Sequence, residues 1–211
     1  MVTVQSFWIY GLYGLACYLT GAIPTAYWLV KRLTGQDIRQ CGSGNVGATN
    51  VKRVVGSGPA RVVLAIDFLK GLLPLLLARW MFSASTDLAG SLPVAQIGHV
   101  VFASLLILGH SRSIFIGFKG GKGAITGLGT LCALVPMVSL VSGLVALSVF
   151  RVSRIVSISS IMGAITAACM VWLLKEPLPY AVYTVFASIF VIWLHRSNIE
   201  RLLKGQESRL S

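Results

Sequence analysis

The chain has 211 residues, 55% of them hydrophobic and 11% charged, with eighteen Lys and Arg against six Asp and Glu and a net charge of +12. Soluble domains carry about 25% charged residues, so this composition and a mean hydropathy of +0.81 exclude an ordinary soluble enzyme. They predict a single polytopic membrane domain over 1–211, all-α, with room for at most seven or eight spans of about 20 residues. In a soluble protein the basic excess would indicate nucleic acid. Here the charges lie between apolar runs and read as membrane topology, with no nucleic-acid partner.

The first predicted span covers 6–30 and ends at Lys31-Arg32, which places that end in the cytoplasm and the N-terminus outside. It lacks a charged leader and a cleavage site, so it is kept as a span and not as a signal peptide. A polar loop over 31–58 follows. At its centre lies Cys41-Gly42-Ser43-Gly44-Asn45-Val46-Gly47-Ala48-Thr49-Asn50, small and glycine-rich between greasy neighbours. Such a run suits a loop that brings backbone N–H groups close to an anion. The second span, 59–80, contains Asp67 and Lys70 at i, i+3. They are either a mutually compensating pair facing the bundle or a strut that orients the cytoplasmic loops. The third span covers 91–109, with His99 inside it as a satisfied interior residue and His110 at its cytoplasmic end.

A second glycine cluster runs from Gly109 to Gly123 and carries Arg112, Lys119 and Lys122. Both this cluster and Arg151-Val152-Ser153-Arg154 are basic, so the apolar run 124–150 between them crosses an even number of times. It is read as two short helices meeting near Pro136. Further spans cover 155–174 and 180–194, and a basic tail from His195 ends the chain in the cytoplasm. The sum is seven transmembrane helices, some of them short. All Lys and Arg except Lys70, Arg79 and Lys175 fall on the cytoplasmic side.

Several patterns are decoys. Gly42-x-Gly44-x-x-Gly47 matches a dinucleotide fingerprint, but no strand precedes it and Asp67 lies in a hydrophobic helix. Gly120-Gly121-Lys122-Gly123 lacks the first Gly and the Ser/Thr of a P-loop, yet glycines and a Lys before a helix still form an anion cradle. His195 and Glu200 have the spacing of an H-x4-D acyltransferase motif without its other parts. The four cysteines are scattered, so neither a zinc site nor a disulfide framework is indicated, and no metal is expected. Ser157 and Ser159 by themselves are ordinary helix-start residues. Two glycine loops and a Ser/Arg segment on one membrane face suit a phosphate-bearing substrate from the cytosol and an apolar one from the bilayer. A transporter would need polar residues on both sides, and the far side here is nearly bare.

Ser43 to Asn50, Asp67-Phe68-Leu69-Lys70-Gly71, Gly117 to Gly123, Val156-Ser157 and His195-Arg196-Ser197-Asn198-Ile199 together resemble the membrane acyl-phosphate:glycerol-3-phosphate acyltransferases. The resemblance spans nearly the whole chain, in order. It implies a seven-helix protein of the bacterial cytoplasmic membrane with its active site facing the cytoplasm. It implies transfer of a fatty acyl group from acyl phosphate to the 1-hydroxyl of glycerol 3-phosphate, giving lysophosphatidate and phosphate, with no cofactor. By motif, Ser43, Lys122 and His195 take catalytic roles. Arg53, Ser157 and Asn198 complete the glycerol-phosphate pocket, and Asn45, Gly47, Gly120, Gly121 and Gly123 hold the acyl-phosphate head. Asp67, Lys70 and His110 orient these loops. The donor's own phosphate is the expected proton acceptor, and His195 is the candidate if a protein base exists. One departure stands out: Ser111-Arg112-Ser113 replaces the family's usual aromatic-Pro pair after Gly-His.

Overall fold

The computed structural model describes residues 4–82 and 94–210. The first residues of the predicted third span, 91–93, lie outside them. Among the described residues the chain is helical throughout, with no strand. The helices are α1 (Val4–Ala22), α2 (Thr25–Thr34), α3 (Ala48–Val55), α4 (Ser57–Phe82), α5 (Val94–Ser111), α6 (Ala124–Leu134), α7 (Pro136–Ser153), α8 (Val156–Leu173), α9 (Leu178–Leu194) and α10 (Arg196–Leu203). Short 3-10 turns occupy Ile38–Gln40 and Ile114–Ile116. Among the described residues three segments are long and apolar enough to cross a membrane, Ala95–Ile116, Pro136–Ser153 and Val156–Leu173, and α9 with α10 makes a pair bent by 56°.

The helix boundaries differ from expectation mainly at the start. The predicted span 6–30 is two helices, because Pro24 has no N–H to continue α1 and the chain breaks at Ile23-Pro24. α2 is a separate amphipathic helix that buries Ala26 and Val30 and exposes Trp28, Lys31, Arg32 and Leu33. It stops at Gly35, whose φ of 73° is the left-handed cap that glycine adopts without strain. The loop 31–58 also contains a helix, α3. The break at Pro136 falls between α6 and α7.

The chain forms two compact units, residues 1–130 and 131–211. In the first, α1 and α5 meet at backbone distance. A Cβ on Gly21 would lie 2.2 Å from the Leu106 carbonyl oxygen, and one on Gly109 would lie 2.2 Å from that of Tyr18. Small residues permit such approach where lipid supplies no hydrophobic force to hold helices together. Tyr10, Tyr13, Phe82 and Phe102 interlock α1, α4 and α5, with ring centroids 4.4 to 5.9 Å apart. A smaller core of Ala26, Val30, Ile38, Val46, Val51, Ala60, Val63 and Ile116 packs α2, the first glycine loop, α3 and the start of α4 together. In the second unit α8 packs against both α7 and α9. Gly163 sits close to Ala146, where a Cβ would come within 3.1 Å of its side chain.

Candidate functional site

The first glycine loop is built around Asn50, a fully buried residue in the first turn of α3. Its Nδ2 donates to the carbonyls of Ile38 (3.2 Å), Cys41 (2.9 Å) and Asn45 (3.1 Å). Its Oδ1 accepts from the Ser43 N–H at 2.9 Å. One amide side chain thereby satisfies four backbone groups that a loop cannot pair by itself. Gly42 and Gly44 have φ of 57° and 70°, and a Cβ on Gly42 would lie 2.3 Å from Asn50 Oδ1. Ser43 is exposed at the loop tip, Asn45 lies beside Gly47, and Arg53 is exposed on α3.

The second glycine loop turns back onto the end of α5. The Phe118 N–H donates to Ser113 O (2.7 Å), Gly120 to Ser111 O (3.1 Å) and Gly121 to His110 O (3.1 Å). The Gly120 and Gly121 amides, expected to face an anion, therefore bond within the turn. The glycines serve close approach instead. A Cβ on Gly120 would lie 2.0 Å from His110 O, and one on Gly121 would lie 2.2 Å from His110 Nε2 and 2.7 Å from Val46 O. Val46 belongs to the first loop, so the two glycine loops pack directly on one another. Gly123 (φ 74°) leads into α6, with Lys122 half-buried beside it.

Beneath this junction lies a buried polar cluster. Asp67 Oδ1 and Lys70 Nζ are 2.8 Å apart, with both side chains under a tenth exposed. The Lys70 ammonium also donates to Ile23 O (2.9 Å), at the break before α2. The Thr25 hydroxyl donates to Asp67 Oδ1 (3.2 Å). His110 Nδ1 lies 3.9 Å from Asp67 Oδ1 and shares a 3.1 Å hydrogen bond with the Thr126 hydroxyl on α6. Asp67, Lys70 and His110 thus touch the start of α2, the end of α5 and the start of α6, and His110 bears on the second loop through Gly120 and Gly121.

In the second unit Ser157 starts α8, while His195 joins α9 to α10. His195 is buried and its Nδ1 lies 2.8 Å from Val191 O. A carbonyl only accepts, so Nδ1 carries the proton in the neutral ring and the lone pair sits on Nε2. The tail beyond α10 turns at Gly205 and runs back, the Leu210 N–H reaching Arg154 O (2.8 Å). This return brings in a residue that sequence reading missed. Glu207 Oε1 accepts from the Ser157 hydroxyl (2.8 Å) and from Asn198 Nδ2 (2.5 Å), and Oε2 accepts from Arg201 Nε (2.7 Å). Burial pushes its carboxyl up, but the hydrogen bonds from Asn198, Arg201 and Ser157 outweigh this and hold it below the usual glutamate range. The tail from His195 holds two acids, Glu200 and Glu207, and nothing in their spacing marks Glu207 as the one that turns back. Among the described residues no group of three or more His, Cys, Asp or Glu is arranged to hold a metal.

The family model described as glycerol-3-phosphate acyltransferase matches residues 11–205. The glycerol-3-phosphate acyltransferase of Nostoc sp. is 44% identical, over 98% of this chain and 95% of its own length. The glycerol-3-phosphate acyltransferase 2 of Rhizobium johnstonii is 46% identical, over 97% of both chains. The fold is similar to that of the integral membrane glycerol 3-phosphate acyltransferase PlsY. Its glycerol 3-phosphate form aligns with a TM-score of 0.86 at 36% identity, over 96% of each chain. Its lysophosphatidic acid form gives 0.83, over 96% of this chain and 95% of that one. Taken with the two packed glycine loops, these likenesses establish that the chain belongs to the glycerol-3-phosphate acyltransferase family.

Proposed function

We propose that the protein transfers a fatty acyl group from acyl phosphate to the 1-hydroxyl of glycerol 3-phosphate, at the cytoplasmic face of a bacterial inner membrane. The observation that carries the reading is the packing of the two glycine loops, with Gly121 against Val46 O and His110. In this reading Ser43, Asn45, Lys122 and the start of α6 border the cradle that these loops form. The first amides of α6 have no helix carbonyl to bond, so they are the natural donors to an anion. They take the role first assigned to the Gly120 and Gly121 amides.

In this reading the loops hold the acyl-phosphate head; Ser43, Arg53 and Lys122 of the first unit, and Ser157, His195 and Asn198 of the second, are each assigned to glycerol 3-phosphate by their motifs. The acceptor's oxygen attacks the donor's carbonyl carbon. The bond from that carbon to the phosphate oxygen breaks, and phosphate leaves with the electron pair and takes up the hydroxyl proton. An acyl phosphate is already an activated anhydride, so positioning and charge neutralisation by Lys122 and Arg53 supply much of the rate. Were a protein group to take that proton in place of the phosphate, His195, whose Nε2 carries the lone pair, is the candidate. Seven spans, an external N-terminus and a cytoplasmic C-terminus complete the proposal.

The test incubates purified protein in detergent with palmitoyl phosphate and labelled glycerol 3-phosphate, without CoA, ATP or carrier protein. Lysophosphatidate and phosphate should form in equal amounts. Product formed only with acyl-CoA or acyl-carrier protein would overturn the donor assignment.

A further inference from the structure

Arg39 lies outside every motif singled out above, yet each part of its guanidinium group is engaged. It follows Asp37, whose carboxylate caps the Ile38–Gln40 turn by accepting the Arg39 N–H at 2.9 Å. The same carboxylate takes the side chain in a fork: Nε lies 3.0 Å from Oδ1 and 3.1 Å from Oδ2, and Nη2 lies 2.6 Å from Oδ2. The guanidinium carbon sits 5.1 Å from the centroid of the Tyr27 ring on α2. The remaining nitrogen, Nη1, donates to Ile116 O at 3.0 Å, in the turn immediately before Gly117 of the second loop. On the other side, the Arg39 carbonyl borders the first loop, where a Cβ on Gly44 would lie 3.1 Å from it. One residue therefore touches α2, the first glycine loop and the entrance to the second.

We propose that Arg39 is a positioning residue that clamps the two glycine loops together and so sets the width of the acyl-phosphate cradle. This rests on the donor assignment above. The two loops also meet where Val46 O approaches Gly121, and Val46 shares a buried apolar core with Ile38 and Ile116. These contacts are of van der Waals and apolar type and non-directional, so they favour closeness without fixing the angle or register of one loop against the other. The Arg39 bond to Ile116 O supplies the directional restraint. Asp37 holds the fork at the correct angle, and the Tyr27 face stops it rotating. Lysine cannot substitute. An ammonium on a flexible stem can reach Asp37 or Ile116 O, but it has no planar fork to hold both and stack on the ring. Asp37→Asn is milder, because it weakens the fork and leaves the Ile116 bond in place.

The experiment compares wild type, D37N and R39K, purified in the same detergent, by two readouts. The first is the KM for palmitoyl phosphate at saturating glycerol 3-phosphate. It should rise about tenfold in R39K and less in D37N, since loss of a charge-assisted hydrogen bond is a change of about that size. A variant that is only less stable loses active fraction and kcat while its KM stays put. The second is amide hydrogen exchange, which should quicken in R39K across both 41–47 and 114–121. An R39K enzyme with wild-type KM overturns the clamp, as does one with quickened exchange in only one loop. If wild type makes no product from palmitoyl phosphate, the donor assignment fails, and exchange alone still decides whether Arg39 joins the loops.

Discussion

At the scale of single residues, two hold together more of their own unit than their sequence suggests. Asn50 is one, with four hydrogen bonds to loop backbone. Glu207 is the other, accepting from Ser157, Asn198 and Arg201. Replacing Glu207 by Ala leaves those donors without their acceptor, and we expect kcat/KM for glycerol 3-phosphate to fall by about tenfold or more. The pH dependence follows from its lowered pKa. The folded chain favours the ionised form, so the stabilisation is complete above the ordinary glutamate value of about 4.3 and disappears as pH falls through the lower folded value. The thermal midpoint of wild type should be flat from neutrality to about pH 5 and decline below about pH 4. In E207Q the glutamate's share of that acid decline should vanish. An unchanged acid limb in E207Q would show that Glu207 is not the group responsible. Ser157 and Asn198 were singled out in the sequence because their motifs resemble those of the family. Glu207 was not, because its contact with Ser157 spans fifty positions and depends on a tail that has no periodicity to read.

At the scale of elements, the glycine loops are fixed by close approach more than by flexibility. Gly121→Ala puts a methyl group into His110 Nε2 and Val46 O. We expect it to cut activity by two orders of magnitude or more, as about 3 kcal/mol of displaced packing would. Gly11→Ala, on α1, meets nothing within 4 Å. It should leave activity intact and change stability by at most about 1 kcal/mol, in the favourable direction. Equal effects of the two substitutions would refute this account of the loop. The helix ends were largely readable from hydropathy and basic flanks. Pro136 marks the break between α6 and α7 as expected. Pro24 carried the same signal but was overridden, because apolar residues continue on both sides of it up to Val30. Hydropathy alone does not separate a membrane-crossing helix from an amphipathic one that follows it. The three- and four-residue spacing of Ala26 and Val30 against Trp28, Lys31 and Arg32 does.

For the whole chain, composition and charge indicated an all-helical membrane protein, and the family likeness extends from end to end. The side of each loop is tested by maleimide labelling of single cysteines placed at Arg112 and Arg154, in intact cells and in inverted vesicles. Both should label only from the cytoplasmic side, and external labelling at Arg154 would overturn the paired short helices over 124–150. What sequence did not disclose is which distant helices touch. Gly21 and Gly109 lock α1 to α5 across 88 positions of chain. A ribosome adding about 5–20 residues per second needs roughly 4 to 18 s to synthesise that interval. On the seven-span proposal α1 enters the bilayer first, and its glycine face then meets lipid throughout that interval, before α5 exists. On that proposal the α1–α5 pairing waits on translation, and slowed synthesis between the two helices prolongs the exposure of a half-assembled α1 to membrane quality control.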